Sequence, residues 1–257
     1  MKALPLQDGC YRTKPGVSFS KDLAALVFYP KLAAIVSHGS FLAKYARFYG
    51  HPGVCMSSRR VFTSLEAVGV RFDISGLDNV SGLNGPCVFI GNHMSVLETL
   101  AMPAIMGNYK DITFVIKEEL ATYPVFSHLL MSMRPIVVGR KNAREDLATV
   151  LTKGSEILAA GRSLFIFPQS SRSIEFDRKT FNSIGIKLAV QANVPVIPVA
   201  LKTDAWGSGK LIKDFGIIDP AKTVYFAFGQ PMFIKGRGID EHLWIVNFIT
   251  EKLKQWR

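Results

Sequence analysis

Several short runs of this chain are apolar from end to end. Cys87–Gly91, Leu164–Phe167, Val194–Leu201 and Val224–Phe228 lack the in-out alternation of a strand with one wet face. A strand apolar on both sides has to be covered on both sides, which is the situation of a buried parallel sheet. Val70–Ser75, Ile112–Lys117 and Ile136–Val138 read as further strands. Between them lie stretches with helical period and recognisable ends. Arg59–Val68 reads as a helix capped by Ser57 or Ser58 and stopped at Gly69. Ser95–Met106 ends at Gly107, and a helical stretch follows Lys117 to about Met133. Asn142 caps a helix running to Ala160 and stopped by Gly161, and Asn182–Gln191 and Ile239–Trp256 complete the set. Strands alternating with helices predict an α/β fold with a central, mostly parallel sheet flanked by helices. No internal repeat or low-complexity linker interrupts the 257 residues. One α/β domain over residues 51–257, with an appendage over residues 1–50, is the economical reading.

The appendage has its own character. Within residues 19–49, Leu23–Tyr29 is apolar, Pro30–Lys31 interrupts, and Leu32, Ile35, Val36, Leu42, Tyr45 and Tyr49 then recur at helical spacing. Two short helices broken at Pro30 are expected. Lys44 and Arg47 flank Phe41, Tyr45, Phe48 and Tyr49. Aromatic and basic residues beside aliphatic ones suit an amphipathic helix pair lying in a membrane interface. The same residues also suit a helical hairpin packed on the domain. No run of 18 apolar residues occurs, so a simple transmembrane helix is not expected, and Met1–Gly16 does not read as a secretory signal.

Net charge and hydropathy narrow the partners. The formal charge is +11 and 48% of residues are hydrophobic, with a mean hydropathy of +0.20. The excess of cations suits an anionic partner. It is scattered, without the basic block of a nucleic-acid arm, and together with high hydropathy favours an anionic membrane surface over nucleic acid. Cys10, Cys55 and Cys87 are odd in number and share no metal-ligand spacing, so neither a disulfide framework nor a zinc site is expected.

Most familiar catalytic signatures are missing. There is no His-Glu-x-x-His and no Gly-x-Ser-x-Gly. Gly207-Ser208-Gly209-Lys210 looks like the end of a phosphate loop. It fails as one, because Asp204 stands where the first Gly belongs and Leu211 where Ser or Thr belongs. What remains is Gly91-Asn92-His93-Met94-Ser95-Val96-Leu97-Glu98, directly after an apolar strand. The C-terminal ends of strands are where α/β folds bind ligands. If a helix starts at Ser95, Glu98 sits in its first turn and can fold back to the imidazole of His93, fixing its tautomer and stabilising the imidazolium. His plus carboxylate, without a nucleophile of its own, suits direct attack by a substrate hydroxyl.

Asn92-His93-x4-Glu98 resembles the His-x4-Asp motif of the glycerolipid acyltransferases, the 1-acylglycerol-3-phosphate acyltransferase family. Three more blocks follow in the family's order. Lys117-Glu118-Glu119-Leu120 with Pro124, continuing to Ile136–Arg140, is similar to the second. Phe167-Pro168-Gln169-Ser170-Ser171-Arg172-Ser173 is similar to the third, usually Phe-Pro-Glu-Gly-Thr-Arg-Ser, and Val194-Pro195-Val196-Ile197-Pro198 to the fourth. The resemblance covers roughly residues 75–230. It implies His93 as general base, Glu98 as its orienting acid, and Lys117 and Arg172, with Arg140, on the acceptor's head-group anion. Gln169, Ser170 and Ser171 would complete the substrate-binding turn. It also implies an acyl donor carried by coenzyme A or acyl carrier protein, a lysolipid acceptor, no metal or cofactor, and a peripheral or monotopic place on the cytoplasmic side of the membrane.

Three positions depart from the pattern. Glu98 replaces Asp, Gln169 replaces Glu and Ser170 replaces Gly. They leave open whether the acceptor is lysophosphatidic acid or another lysolipid. A non-catalytic lipid-binding relative and a thioesterase-like hydrolase are the rival readings.

Overall fold

The computed structural model describes residues 4–45, 49–124, 126–169, 171–209 and 213–257. Of the residues singled out above, Arg47, Phe48, Ser170, Lys210 and Leu211 lie outside the described residues. The strands are β1 Tyr11–Arg12, β2 Arg71–Ser75, β3 Val88–Gly91, β4 Ile112–Lys117, β5 Ile136–Val138, β6 Ser163–Ile166, β7 Val196–Lys202 and β8 Thr223–Phe228. The helices are α1 Lys21–Tyr45, α2 Gly50–Ala67, α3 Asp78–Ser81, α4 Leu97–Met106, α5 Glu118–Ala121, α6 Phe126–Met131, α7 Ala143–Ala159, α8 Ile184–Ala192 and α9 Ile239–Gln255. The strands form one sheet in the order β1-β2-β8-β7-β3-β6-β4-β5. Its pairings are parallel except β1 with β2 and β7 with β8.

The apolar runs explain this arrangement residue by residue. Val88 and Ile90 of β3 pack with Leu164 and Ile166 of β6 and Val196 and Ala200 of β7 on one face, under α7, α8 and α9. The intervening Phe89, Phe165, Ile197 and Val199 pack on the other, with residues of α1, α2 and α4. Every residue of β3 and β6 is buried. Alternate side chains thus fill two separate cores, which is why no polar alternation survives in the sequence. The central strands approach closely at Gly91, where a Cβ would stand 3.0 Å from the Val199 carbonyl oxygen and 3.1 Å from the Phe165 ring.

Two expectations about the N-terminal region are corrected. Pro30 does not break α1, which runs unbroken over 25 residues. An interior proline forfeits one backbone hydrogen bond and crowds the preceding turn, at about 3 kcal/mol. Ala24, Phe28, Leu32 and Ile35 lie on both sides of it and are buried along a single seam, and Phe28 meets the ring of Trp206 edge-on at 4.9 Å. Burial of that seam outweighs the proline. The resulting helix is long and apolar enough to cross a membrane by length and composition, although its buried seam rests on α2 and α6. The helix pair is therefore α1 with α2, not two halves of residues 19–49.

Ser57 and Ser58 are not caps either. α2 begins at Gly50, and both serines are buried within it. Ser57 Oγ shares a hydrogen bond of 2.6 Å with Tyr49 Oη. Ser58 Oγ donates to Leu100 O (2.5 Å) and accepts from Ala104 N (2.8 Å), pinning α2 to α4. The stop at Gly69 is met with φ +100°. Asn142 caps α7 as expected, accepting from Arg144 N and Glu145 N. The stretch following Lys117 divides into α5 and α6, and the short elements β1 and α3 had no signal in the sequence.

The start of α2 is fastened by an ionic clasp. His51 Nδ1 lies 3.1 Å from Asp111 Oδ1, and its Nε2 faces the Gly107 carbonyl oxygen at 3.3 Å. Asp111 also takes hydrogen bonds from Arg162 Nε (2.9 Å) and Nη2 (3.2 Å). Two acceptors on one imidazole favour its doubly protonated form. The hydrogen bond to Asp111 foremost, with that to Cys55, raises His51 to about 10. Burial would raise Asp111, but hydrogen bonds from His51 and Arg162 bring it to about 2. A histidine whose folded pKa exceeds its unfolded value of about 6.5 stabilises fully below that value and loses its contribution as pH climbs through the folded one. The melting temperature should therefore decline between about pH 6.5 and about pH 10, and His51→Gln should flatten that slope. Equal slopes for both proteins would show that the clasp contributes nothing.

Candidate active site

β3 ends at Gly91, and the next residues carry the chemistry. Asn92 continues the strand in side-chain form: its Nδ2 donates to Leu201 O and its Oδ1 accepts from Leu201 N, both at 2.8 Å. This locks the outgoing loop to β7 and aims His93 beyond the sheet's C-terminal edge. α4 begins at Leu97, two residues later than expected, and Glu98 still falls in its first turn. Ser95 Oγ accepts from Leu97 N (3.1 Å) and serves the helix start.

Glu98 is fully buried and bonded on all sides. Its Oε1 lies 2.8 Å from His93 Nδ1 and accepts from Met94 N (2.6 Å) and Ser95 N (2.9 Å). Its Oε2 accepts from Thr203 Oγ1 at 2.6 Å. Thr203 has spent its one proton there, so it accepts from Ser95 Oγ at 2.9 Å. Burial alone would raise the carboxyl, but the His93 hydrogen bond and charge, followed by Thr203 and the Met94 amide, hold it below the ordinary carboxylate range. An ionised Glu98 can only accept, so Nδ1 of His93 carries a proton, and in the neutral imidazole the lone pair is therefore on Nε2. The imidazole stacks on Phe167, with centroids 4.2 Å apart and planes within 16°.

The third block holds the loop from the other side. Gln169 is buried, and its Oε1 accepts from the His93 backbone N–H at 2.7 Å. Ser173 N donates to His93 O at 3.0 Å. Gln169 therefore fixes the backbone of the histidine and is absent from the wall of the neighbouring cavity. A carboxamide performs this task as well as a carboxylate, since one acceptor oxygen is all it uses.

That cavity has a volume of about 780 Å³, and His93 lies in its wall. Much of its lining is apolar, formed by side chains of α1, α2, α4 and α6 such as Ile35, Val61, Leu100 and Leu129. Lys117, Arg140, Ser171 and Arg172 also line it, so the structure brings together every expected substrate-side residue it describes except Gln169. Arg172 Nη1 lies 2.5 Å from Asp214 Oδ1, and both side chains are partly exposed. Arg140 holds positive φ (+58°). Among the described residues no group of His, Cys, Asp and Glu is arranged to hold a metal ion.

The sequence reading missed Thr203 and Asp214. Thr203 directly follows β7, the parallel neighbour of β3. A hydroxyl at the end of the strand beside the histidine's strand is the available signal. Asp214 has none, because a long loop brings it to the cavity.

Comparison with known proteins agrees with this geometry. A family model described as Acyltransferase matches residues 71–202, which include His93, Glu98, Lys117, Gln169 and Arg172. The 1-acyl-sn-glycerol-3-phosphate acyltransferase of Pseudomonas aeruginosa is 29% identical over 170 residues, 66% of this chain and 62% of that protein. The chloroplastic 1-acyl-sn-glycerol-3-phosphate acyltransferase BAT2 of Brassica napus is 29% identical over 142 residues, 55% of this chain and 39% of its own length. The chain thus spans less than two thirds of the length of these curated relatives. The crystal structure of the 1-acyl-sn-glycerophosphate (LPA) acyltransferase PlsC from Thermotoga maritima superposes with a TM-score of 0.68, covering 91% of this chain and 95% of that one, at 20% identity; this shows a shared fold. With a family model matching more than half its length, across the segment that carries the site, the chain belongs to the acyltransferase family.

Proposed function

We propose that this protein moves a fatty acyl chain from a thioester, carried by coenzyme A or acyl carrier protein, to the free hydroxyl of a lysolipid. Lysophosphatidic acid is the first acceptor to test, because the relatives above are named for that reaction. The observation that carries the reading is that His93, paired behind with the buried Glu98, lies in the wall of a largely apolar cavity whose lining also includes Lys117 and Arg172.

The chemistry follows from the bonded state of the imidazole. Nε2 of His93 takes the proton from the acceptor hydroxyl as its oxygen attacks the thioester carbonyl carbon. Glu98 stabilises the imidazolium without taking its proton. The tetrahedral intermediate collapses by breaking the C–S bond, and the imidazolium returns its proton to the leaving thiolate. Ester and thiol are the products, and no redox step occurs. Lys117 and Arg172 hold the head-group anion, the guanidinium by two parallel hydrogen bonds and the ammonium as a point charge. The apolar side chains of the cavity lining take an alkyl chain.

A lipid substrate calls for a membrane surface, and α1 supplies the apolar face. Leu23, Leu26, Phe41 and Tyr45 of this helix are exposed beside Lys44. Residues 1–50 are on this reading the membrane-associating segment, docked peripherally or monotopically on an anionic leaflet, on the cytoplasmic side.

His93→Ala should lower acceptor-dependent thiol release by roughly 10²- to 10⁴-fold, and Glu98→Gln should also be impaired despite near-equal volume. Wild-type turnover in His93→Ala would refute the assignment. Thiol release that ignores the acceptor would favour hydrolysis instead. Replacing Leu26 and Phe41 together by Glu should reduce flotation with anionic vesicles while sparing the melting temperature, since both side chains are exposed. Unchanged flotation would remove α1 from the membrane contact.

A further inference from the structure

Asp214 stands where an acceptor's anion would be expected. Its carboxylate meets Arg172 at 2.5 Å, and both residues line the cavity. The contact is not a chance meeting of mobile surface side chains. The Asp214 backbone carbonyl accepts from Nε1 of Trp206 at 3.1 Å, and Trp206 is 1% exposed. On either side of Asp214, the ends of the loop are tied together: Gly207 N donates to Ile217 O (2.9 Å) and Gly209 N to Lys213 O (3.1 Å). The two arms of the loop run so close at Gly216 that a Cβ there would stand 2.0 Å from the Gly207 carbonyl oxygen. Tyr29 of α1 donates its hydroxyl proton to Gly216 O, and its ring lies 5.3 Å from that of Phe215. A loop braced at a buried indole and at α1 therefore presents one carboxylate to one guanidinium.

Resting on the acyl-transfer reading, we propose that Asp214 is a specificity-determining residue that holds Arg172 in the empty site and competes with the acceptor's head-group anion for it. A phosphate has more oxygens and more charge than a carboxylate and matches the guanidinium fork at least as well, so it displaces Asp214. A lysolipid with no head-group anion cannot make that exchange and leaves the ion pair in place. The pair thus sets a threshold that strongly anionic head groups pass and uncharged ones gain nothing from. The lining also holds Lys117, Arg140, Lys213 and Glu119, which makes Asp214 one of two carboxylates among four cations. Removing its charge should raise the pull on any anion.

The test uses the full chain as wild type, Asp214→Asn, Arg172→Ala and the double variant. Binding of sn-glycerol 3-phosphate is followed by calorimetry, and initial rates are measured with lysophosphatidic acid and with monoacylglycerol in mixed micelles. Asp214→Asn should bind glycerol 3-phosphate roughly two- to tenfold more tightly, the scale of a partly exposed ion pair. It should lower KM for lysophosphatidic acid by a similar factor and raise the preference for it over monoacylglycerol. In the Arg172→Ala background the same change should give no gain. If Asp214→Asn binds more weakly, or raises KM as Arg172→Ala does, Asp214 positions the arginine and the proposal is overturned. Glycerol 3-phosphate binding and KM that are indifferent to Arg172→Ala would instead remove Arg172 from the head-group site, and the proposal with it. Absence of acyl transfer by wild type to either acceptor would count against the reaction, while the calorimetry would still decide whether Asp214 competes with phosphate.

Discussion

One buried carboxylate organises the working end of this molecule. Glu98 has no contact with solvent, and from the start of α4 it is bonded by the imidazole and two backbone amides of the loop after β3 and by a threonine hydroxyl at the end of β7. A carboxylate placed in such a site without these donors would lose several kcal/mol of solvation. With them it stays ionised, and its negative charge fixes which imidazole nitrogen bears the proton. The loop after β3, the start of α4 and the end of β7 must therefore come into register together or not at all. Asn92 and Gln169 serve the same end through the backbone, one binding the loop to β7 and the other to the segment after β6.

The rigidity behind this comes from the two-sided sheet. β3 lies between β7 and β6, and consecutive side chains of all three drop alternately into different cores. A shift of one residue in any of them would exchange the two sets of side chains and lose both packings. The C-terminal ends of these central strands are thus held at fixed relative heights. His93, Thr203 and the turn before Arg172 all leave from those ends. Positional precision at the site is inherited from apolar packing some distance below it.

What the sequence revealed follows from the range over which each interaction acts. The strands were legible because complete burial leaves no polar residue in the run, and His93 with Glu98 was legible because five residues of local chain bring them together. The helical break at Pro30 was misjudged since a local cost of about 3 kcal/mol was weighed without the seam of Phe28, Leu32 and Ile35 that only the folded protein assembles. Ser57 and Ser58 have the right chemistry for caps, but tertiary partners in Tyr49, Leu100 and Ala104 give them other work. Gln169 was grouped with the substrate side because its block is, whereas its side chain turns back to the His93 amide. Thr203 and Asp214 are joined to their partners across 105 and 42 residues of chain, a separation no spacing rule can bridge.

The unbroken course of α1 has a consequence for how a lipid chain would travel. Ile35 and Val36 of this helix belong to the wall of the cavity, while Leu26 and Phe41 of the same helix face outward. The helix is thus a partition with an apolar surface on each side, and its thickness is about 10 Å. An alkyl chain passing around its edge would exchange one apolar surrounding for another, with little of its length ever bared to water. The large hydration penalty that normally keeps a fatty chain in its bilayer, about 0.8 kcal/mol for each methylene, would then scarcely enter the barrier to loading the enzyme.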